Sequence, residues 1–121
     1  MSYNCDKWIT KELSNLRIPV SALYESERRD WHPERTENSD GIVRFEMMES
    51  HITGRVVDGV LIVEDIRIYG EGSGSLMHFI IEPALKKSLG KLEASTVWER
   101  GDSIQRLTVV DGEVLWTKID L

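Results

Sequence analysis

The sequence predicts a mixed α/β (α+β) domain: a mostly antiparallel sheet with flanking helices and one βαβ crossover. Three observations carry this reading. Asp58-Gly59 and Asp111-Gly112 each sit between β-rich runs, which is the signal of a two-residue hairpin. Residues 60–98 read as strand, glycine turn, helix and strand, a crossover that is right-handed when it forms. Residues 4–17 place apolar side chains at helical spacing. The chain has 121 residues. That length suits one domain, 1–121, with a core of its own.

The elements follow in order. Over 4–17, Ile9, Leu13 and Leu16 form an apolar stripe beside Trp8; Asn4 or Ser2 can cap this helix and Pro19 ends it. A short extended piece, Val20 to Tyr24, comes next. Residues 25–40 are the most polar stretch and read as a loop. Ile42 to Glu49 alternates, with Val43, Phe45 and Met47 on one face. His51 to Val57 continues as a strand with a kink at Gly54, and Val60 to Tyr69 is the longest strand candidate. Leu76 to Leu89 reads as a helix: Met77, Ile81, Leu85 and Leu89 form one row and Leu76, Ile80 and Ala84 its neighbour. Pro83 lies on its polar side, and Gly90 is a suitable stop. Leu92 to Trp98, Leu107 to Val110 and Val114 to Leu121 complete the sheet, with Trp98 and Trp116 placed to face each other.

Composition narrows the function. Apolar residues make up 40% and charged residues 30%, which excludes a disordered chain and a collagen-like one. The single cysteine, Cys5, forms no internal disulfide, and no Cys/His cluster has zinc spacing. A reducing, cytoplasmic setting is expected. No apolar run reaches the ~18 residues of a membrane span. The net charge of −6 argues against nucleic acid, whose binding rests on neutralising phosphates.

The segment 62–96 carries the most information. Gly70, Gly72 and Gly74 lie between a strand and a helix start. Glycines there let backbone approach a ligand, and the helix start adds positive partial charge, a combination that suits a pyrophosphate. The spacing G-x-G-x-x-G is absent, because position 75 is Ser and 77 is Met. No Gly-Lys-Ser/Thr follows either.

From Gly70 to Trp98 the sequence resembles the acetyl-coenzyme A site of GNAT N-acetyltransferases. The residues that carry the resemblance are Gly72-Ser73-Gly74-Ser75, Leu85 to Gly90, and Leu92-Glu93-Ala94 through Val97-Trp98. Residues 102–107 resemble the start of the family's last helix. The resemblance implies a GNAT-like fold and transfer of an acetyl group from acetyl-CoA to an amine of a small molecule or a protein. It implies that backbone amides at Gly70, Gly72, Gly74 and Ser75 hold the pyrophosphate. It implies that the backbone of Ile66 and Ile68 pairs with the pantetheine arm, and that Glu64 or Asp65 accepts the amine proton. Two departures stand out: the family's Arg/Gln position falls on Tyr69, and no tyrosine occupies the short last helix.

A second reading is a non-catalytic protein-interaction module, either an inactive relative of the same fold or an unrelated small acidic protein of phage-encoded or immunity type. Its partner is a protein bound through a strand edge or through loop 25–40, or a second copy paired through C-terminal strands. The remaining residues read as structural. Trp31 docks the polar loop beside His32, His51 and His78 lack ligand partners, and Met47, Met48 and Met77 belong to packing stripes.

Overall fold

The structure, a computed structural model, describes residues 5–26, 32–69, 76–98 and 104–119, without the side chains of 5–7 and 97–98. Its strands are β1 (Cys5–Pro19), β2 (Glu34–Glu37), β3 (Val43–Met47), β4 (Ser50–Val57), β5 (Val60–Arg67), β6 (Leu89–Trp98), β7 (Ile104–Val110) and β8 (Glu113–Ile119). They form one sheet in the order β2-β3-β4-β5-β1-β6-β7-β8. Two meanders, β2 to β5 and β6 to β8, are therefore joined by the N-terminal strand. Among the described residues all seven pairings are antiparallel.

This overturns the expected GNAT-like mixed sheet with flanking helices. Strands β5 and β6 do run in the same direction, but β1 lies between them and pairs with both. The segment joining them holds a π-helical turn, Met77–Ile81, that runs into a short α-helix, α1 (Glu82–Leu85). The two apolar rows are real: Leu76, Met77, Ile80, Ile81, Ala84 and Leu85 are buried and Pro83 is exposed. Leu89, the last member of the first row, is already in β6 and exposed. Pro83 has no N–H to give to the turn before it, and there the ladder widens: the Glu82 N–H reaches back five residues to Met77. Gly90 belongs to β6 rather than to a helix stop. Its φ is +90°, and a Cβ there would lie 2.1 Å from the Asn15 carbonyl oxygen.

The predicted helix over 4–17 is strand β1. The reason is visible in its register. Irregularities between Thr10 and Glu12 and between Ser14 and Arg17 insert extra residues against β6. Trp8, Thr10, Leu13, Leu16 and Ile18 then share the inward face, at intervals of two and three. That spacing imitates a helical period, whereas an unbroken strand alternates strictly. Asn15, inside the second irregularity, has φ +50°.

Val20–Tyr24 forms a 3-10 turn, not an extended piece, and buries Ala22 and Leu23. Part of the polar 25–40 stretch is strand β2, which pairs with β3 from Glu34–Glu46 to Glu37–Val43. Its side chains are all exposed. The Arg35 guanidinium lies 5.7 Å from the centre of the Phe45 ring. The Asn38 side chain closes the following turn by accepting the N–H of Asp40 and of Ile42. Residues 102 and 103 lie outside the described residues, and Ile104 to Leu107, expected to open a last helix, begins β7.

The elements expected from alternation and turn chemistry hold. Strand β3 buries Val43, Phe45 and Met47. Asp58-Gly59 and Asp111-Gly112 form two-residue turns with positive φ at all four residues, as the type I′ geometry requires. Gly54 sits at a register irregularity, where a Cβ would lie 2.0 Å from the Ile62 carbonyl oxygen. Met48 is an exception to its packing stripe: it is exposed in the β3–β4 turn with φ +56°.

One face of the sheet is covered. Phe45, Ile52, Leu61, Ile66, Leu92 and Leu107 pack there with Leu23 of the 3-10 turn and with Ile80, Ile81 and Leu85 of the helical segment. The opposite face is open, and it presents the candidate functional surface. No helix among the described residues is long and apolar enough to cross a membrane.

Candidate functional site

The register of β5 decides where the two acidic residues point. Thr53 pairs with Asp65 and Gly54 with Val63, which leaves Glu64 as an extra residue in β5. Neighbours on a regular strand point to opposite faces, but across this bulge both carboxylates reach side chains of the open face. Glu64 lies 3.7 Å from Arg55, and Asp65 lies 3.7 Å from His51 and 3.1 Å from Arg67. Arg67 also donates to the Tyr69 hydroxyl at 3.4 Å. That bond first, and the Asp65 charge second, raise the Arg67 pKa above its ordinary value.

His51 links this group to β3. Arg44 Nη2 lies 3.2 Å from His51 Nδ1, and Arg44 also pairs with Glu46 at 3.5 Å. An arginine N–H has only a donor to offer, so Nδ1 accepts and the ring proton sits on Nε2, facing Asp65. This is half of a proton-relay geometry. Among the described residues no hydroxyl or thiol is hydrogen-bonded to His51, so the pair has no nucleophile to activate. Three arginines here meet three carboxylates, and the carboxylates are open to water. The arrangement is a neutral lattice on the surface of β3, β4 and β5.

Ile66 and Ile68 are buried in the core. The Ile66 carbonyl accepts a hydrogen bond from Thr10 Oγ1 at 3.3 Å, and Thr10 in turn accepts from Trp8 Nε1 at 2.7 Å. The β1–β5 ladder covers only Arg17–Ile62, Ile18–Leu61 and Pro19–Val60, so this hydroxyl bridges the two strands where the ladder has ended. Gly70, Gly72, Gly74 and Ser75, expected to hold a pyrophosphate, lie outside the described residues. So does Trp31; His32 stacks on Tyr24 at 6.3 Å. Trp98 of β6 lies opposite Cys5 of β1, whereas Trp116 of β8 pairs with Leu107 of β7, so β7 separates the strands of the two tryptophans. No group of three or more His, Cys, Asp or Glu side chains among the described residues has metal-binding geometry.

A different part of the open face was not expected from the sequence. Arg17, Ile62 and Leu89 stand side by side on β1, β5 and β6. With Pro19, Val57, Val60, Asp58 and Lys87 they line a groove of about 390 Å3. Leu89 is 59% exposed and Val57 53%. Lys87 pairs with Glu25, and Arg55 beside Ile62 pairs with Glu64. Arg17 has no hydrogen-bond or ion-pair partner among the described residues. A cation between bare aliphatic side chains is suited to a carboxylate flanked by apolar groups. The weak trace of this site in the sequence is Leu89 itself, an apolar residue set just before Gly90.

The chain matches no protein-family model, no curated protein and no solved structure.

Proposed function

We propose that the protein is a non-catalytic interaction module that binds a protein partner through the open face of its sheet. The groove around Arg17 carries this reading: aliphatic side chains from three strands are bare, and the cation among them has no partner among the described residues. Exposed apolar area rimmed by charge is the usual mark of a docking surface. The histidine and carboxylates of the β3–β5 lattice support it from the other side, because they satisfy one another and leave no reacting group. The acetyltransferase reading draws on residues 70–98 and 102–107, and the antiparallel sheet lacks the flanking helices and mixed pairing that the resemblance implied. The acidic balance of the chain also favours a protein partner over nucleic acid.

Thermal unfolding with and without acetyl-CoA tests the choice. A ligand at 100 times its dissociation constant adds about 2.7 kcal/mol, which at this size moves the midpoint by several degrees. The expected result is no shift at millimolar acetyl-CoA. A shift with acetyl-CoA, absent with adenine nucleotides, would overturn the interaction-module reading.

A further inference from the structure

The side chains of the groove around Arg17 form two rows across the strands. The first is Ile62, Arg17 and Leu89, joined by the pairings Arg17–Ile62 and Arg17–Leu89. The second is Val57, Val60 and Pro19, joined by Val57–Val60 and Pro19–Val60. Arg17 and Pro19 are two residues apart on β1, so the rows lie about 7 Å apart. The first row sets its cation between two aliphatic side chains, and the second is apolar throughout.

Beyond the second row comes the Asp58-Gly59 turn, and Asp58 also lines the groove. Its carboxylate, like the Arg17 guanidinium, has no hydrogen-bond or ion-pair partner among the described residues. The charges at the rim are engaged: Lys87 with Glu25, and Arg55 with Glu64 at 3.7 Å. From Arg17 to Asp58 the groove is thus a cation, an apolar row and an anion.

We propose, building on the interaction-module reading, that this groove binds an extended segment of a protein partner laid along β1. Its inward side chains run acidic, aliphatic, basic at every second position. The spacing selects an extended segment, because side chains on one side of such a chain recur at the interval between the two rows. Strands stacked on a sheet also run close to the direction of the strands beneath them. The acidic side chain meets Arg17, which can hold a carboxylate bidentately, and Ile62 and Leu89 shield the pair from water. The aliphatic side chain, two residues on, packs on Val57, Val60 and Pro19. The basic side chain, four residues on, reaches Asp58. The volume of about 390 Å3 is near the small end of ligand pockets, which suits a few side chains rather than a large cofactor.

Two-dimensional NMR of the isotope-labelled chain tests this, with the capped peptide acetyl-Thr-Glu-Thr-Val-Thr-Lys-Thr-amide as the probe. The Arg17 side-chain N–H signal and the Val57, Ile62 and Leu89 methyl signals should move as peptide is added to millimolar concentration. Replacing the glutamate of the peptide by glutamine should weaken binding at least about tenfold, the loss expected for a hydrogen-bonded charge. In Arg17→Gln the two peptides should bind alike, each as weakly as the glutamine peptide binds the wild type. Replacing the lysine of the peptide by glutamine should weaken binding about two- to fivefold, as for an exposed ion pair, and should have no effect in Asp58→Asn. Both altered side chains are exposed, and Asn suits the φ of +52° at position 58. The variants should therefore unfold at the wild-type midpoint, and circular dichroism checks this. Groove signals that stay fixed at millimolar peptide would overturn the proposal. So would equal affinity of the wild type for the glutamate and glutamine peptides, or shifts confined to β3 and β4. Each of these outcomes leaves the interaction module standing, because a partner can still dock through a folded surface. That reading falls separately, on a thermal shift with acetyl-CoA.

Discussion

The two halves of the open face are built from the same kind of strand, yet they treat charge differently. Over β3, β4 and β5, Arg44, Arg55 and Arg67 meet Glu46, Glu64 and Asp65 within the chain, with His51 between them. Over β1, β6, β7 and β8, Arg17 and Glu113 have no partner among the described residues, and Leu89, Val110 and Leu115 stand bare. Alternation requires only that one face be polar enough for water. The first half meets that requirement and has nothing left to offer. The second half exceeds its need for apolar surface and falls short on pairing, so its binding potential is unspent.

The contrast can be tested from the core outward. Both halves rest on one core, so removing a large side chain beneath either should cost alike. Phe45→Ala, under the paired half, should lose about 3–5 kcal/mol, and Leu107→Ala, under the unpaired half, about 2–5 kcal/mol, read by urea unfolding. A loss confined to one of them, with the other near zero, would mean that the halves are separate units. The seams come next. Gly54→Ala and Gly90→Ala each place a Cβ against a backbone carbonyl, and should cost about 1–3 kcal/mol by overpacking. Gly90→Ala should cost about 1 kcal/mol more, because its φ of +90° strains any side chain. The surface gives the smallest effects. Leu89→Ala and Asp65→Asn should each leave monomer stability within about 0.5 kcal/mol of wild type.

Much of the sheet was legible because its signals are local. Val43, Phe45 and Met47 alternate over five residues, and the two Asp-Gly turns declare their own geometry. Strand β1 was not legible, because two bulges shift its inward residues to helix-like intervals. Strand β2 was not legible either: Glu34, Arg35, Thr36 and Glu37 bury nothing, and their pairing with β3 alone makes them a strand. Glu64 and Asp65 were read from the sequence as candidate bases on β5. Their common face depends on a bulge set by the partner strand, which the sequence of β5 does not record. Arg17 was invisible as a site residue for a related reason. Its neighbours Ile62 and Leu89 come from distant parts of the chain and meet only because β1 lies between β5 and β6.

That insertion of β1 also sets the order in which the molecule can be made. Strand β1 finds its short partner only when β5 has emerged from the ribosome, and its long partner only with β6, where Cys5 lies opposite Trp98. Until then each meander exposes an unpaired edge. Pairing so distant in sequence makes folding slow. It also puts the burden of protecting the newborn chain on the cell's chaperones during the interval between the two halves. A circular permutant that opens the Asp58-Gly59 turn makes β1 follow β8, brings it closer in sequence to its long partner β6, and should fold faster than the natural order.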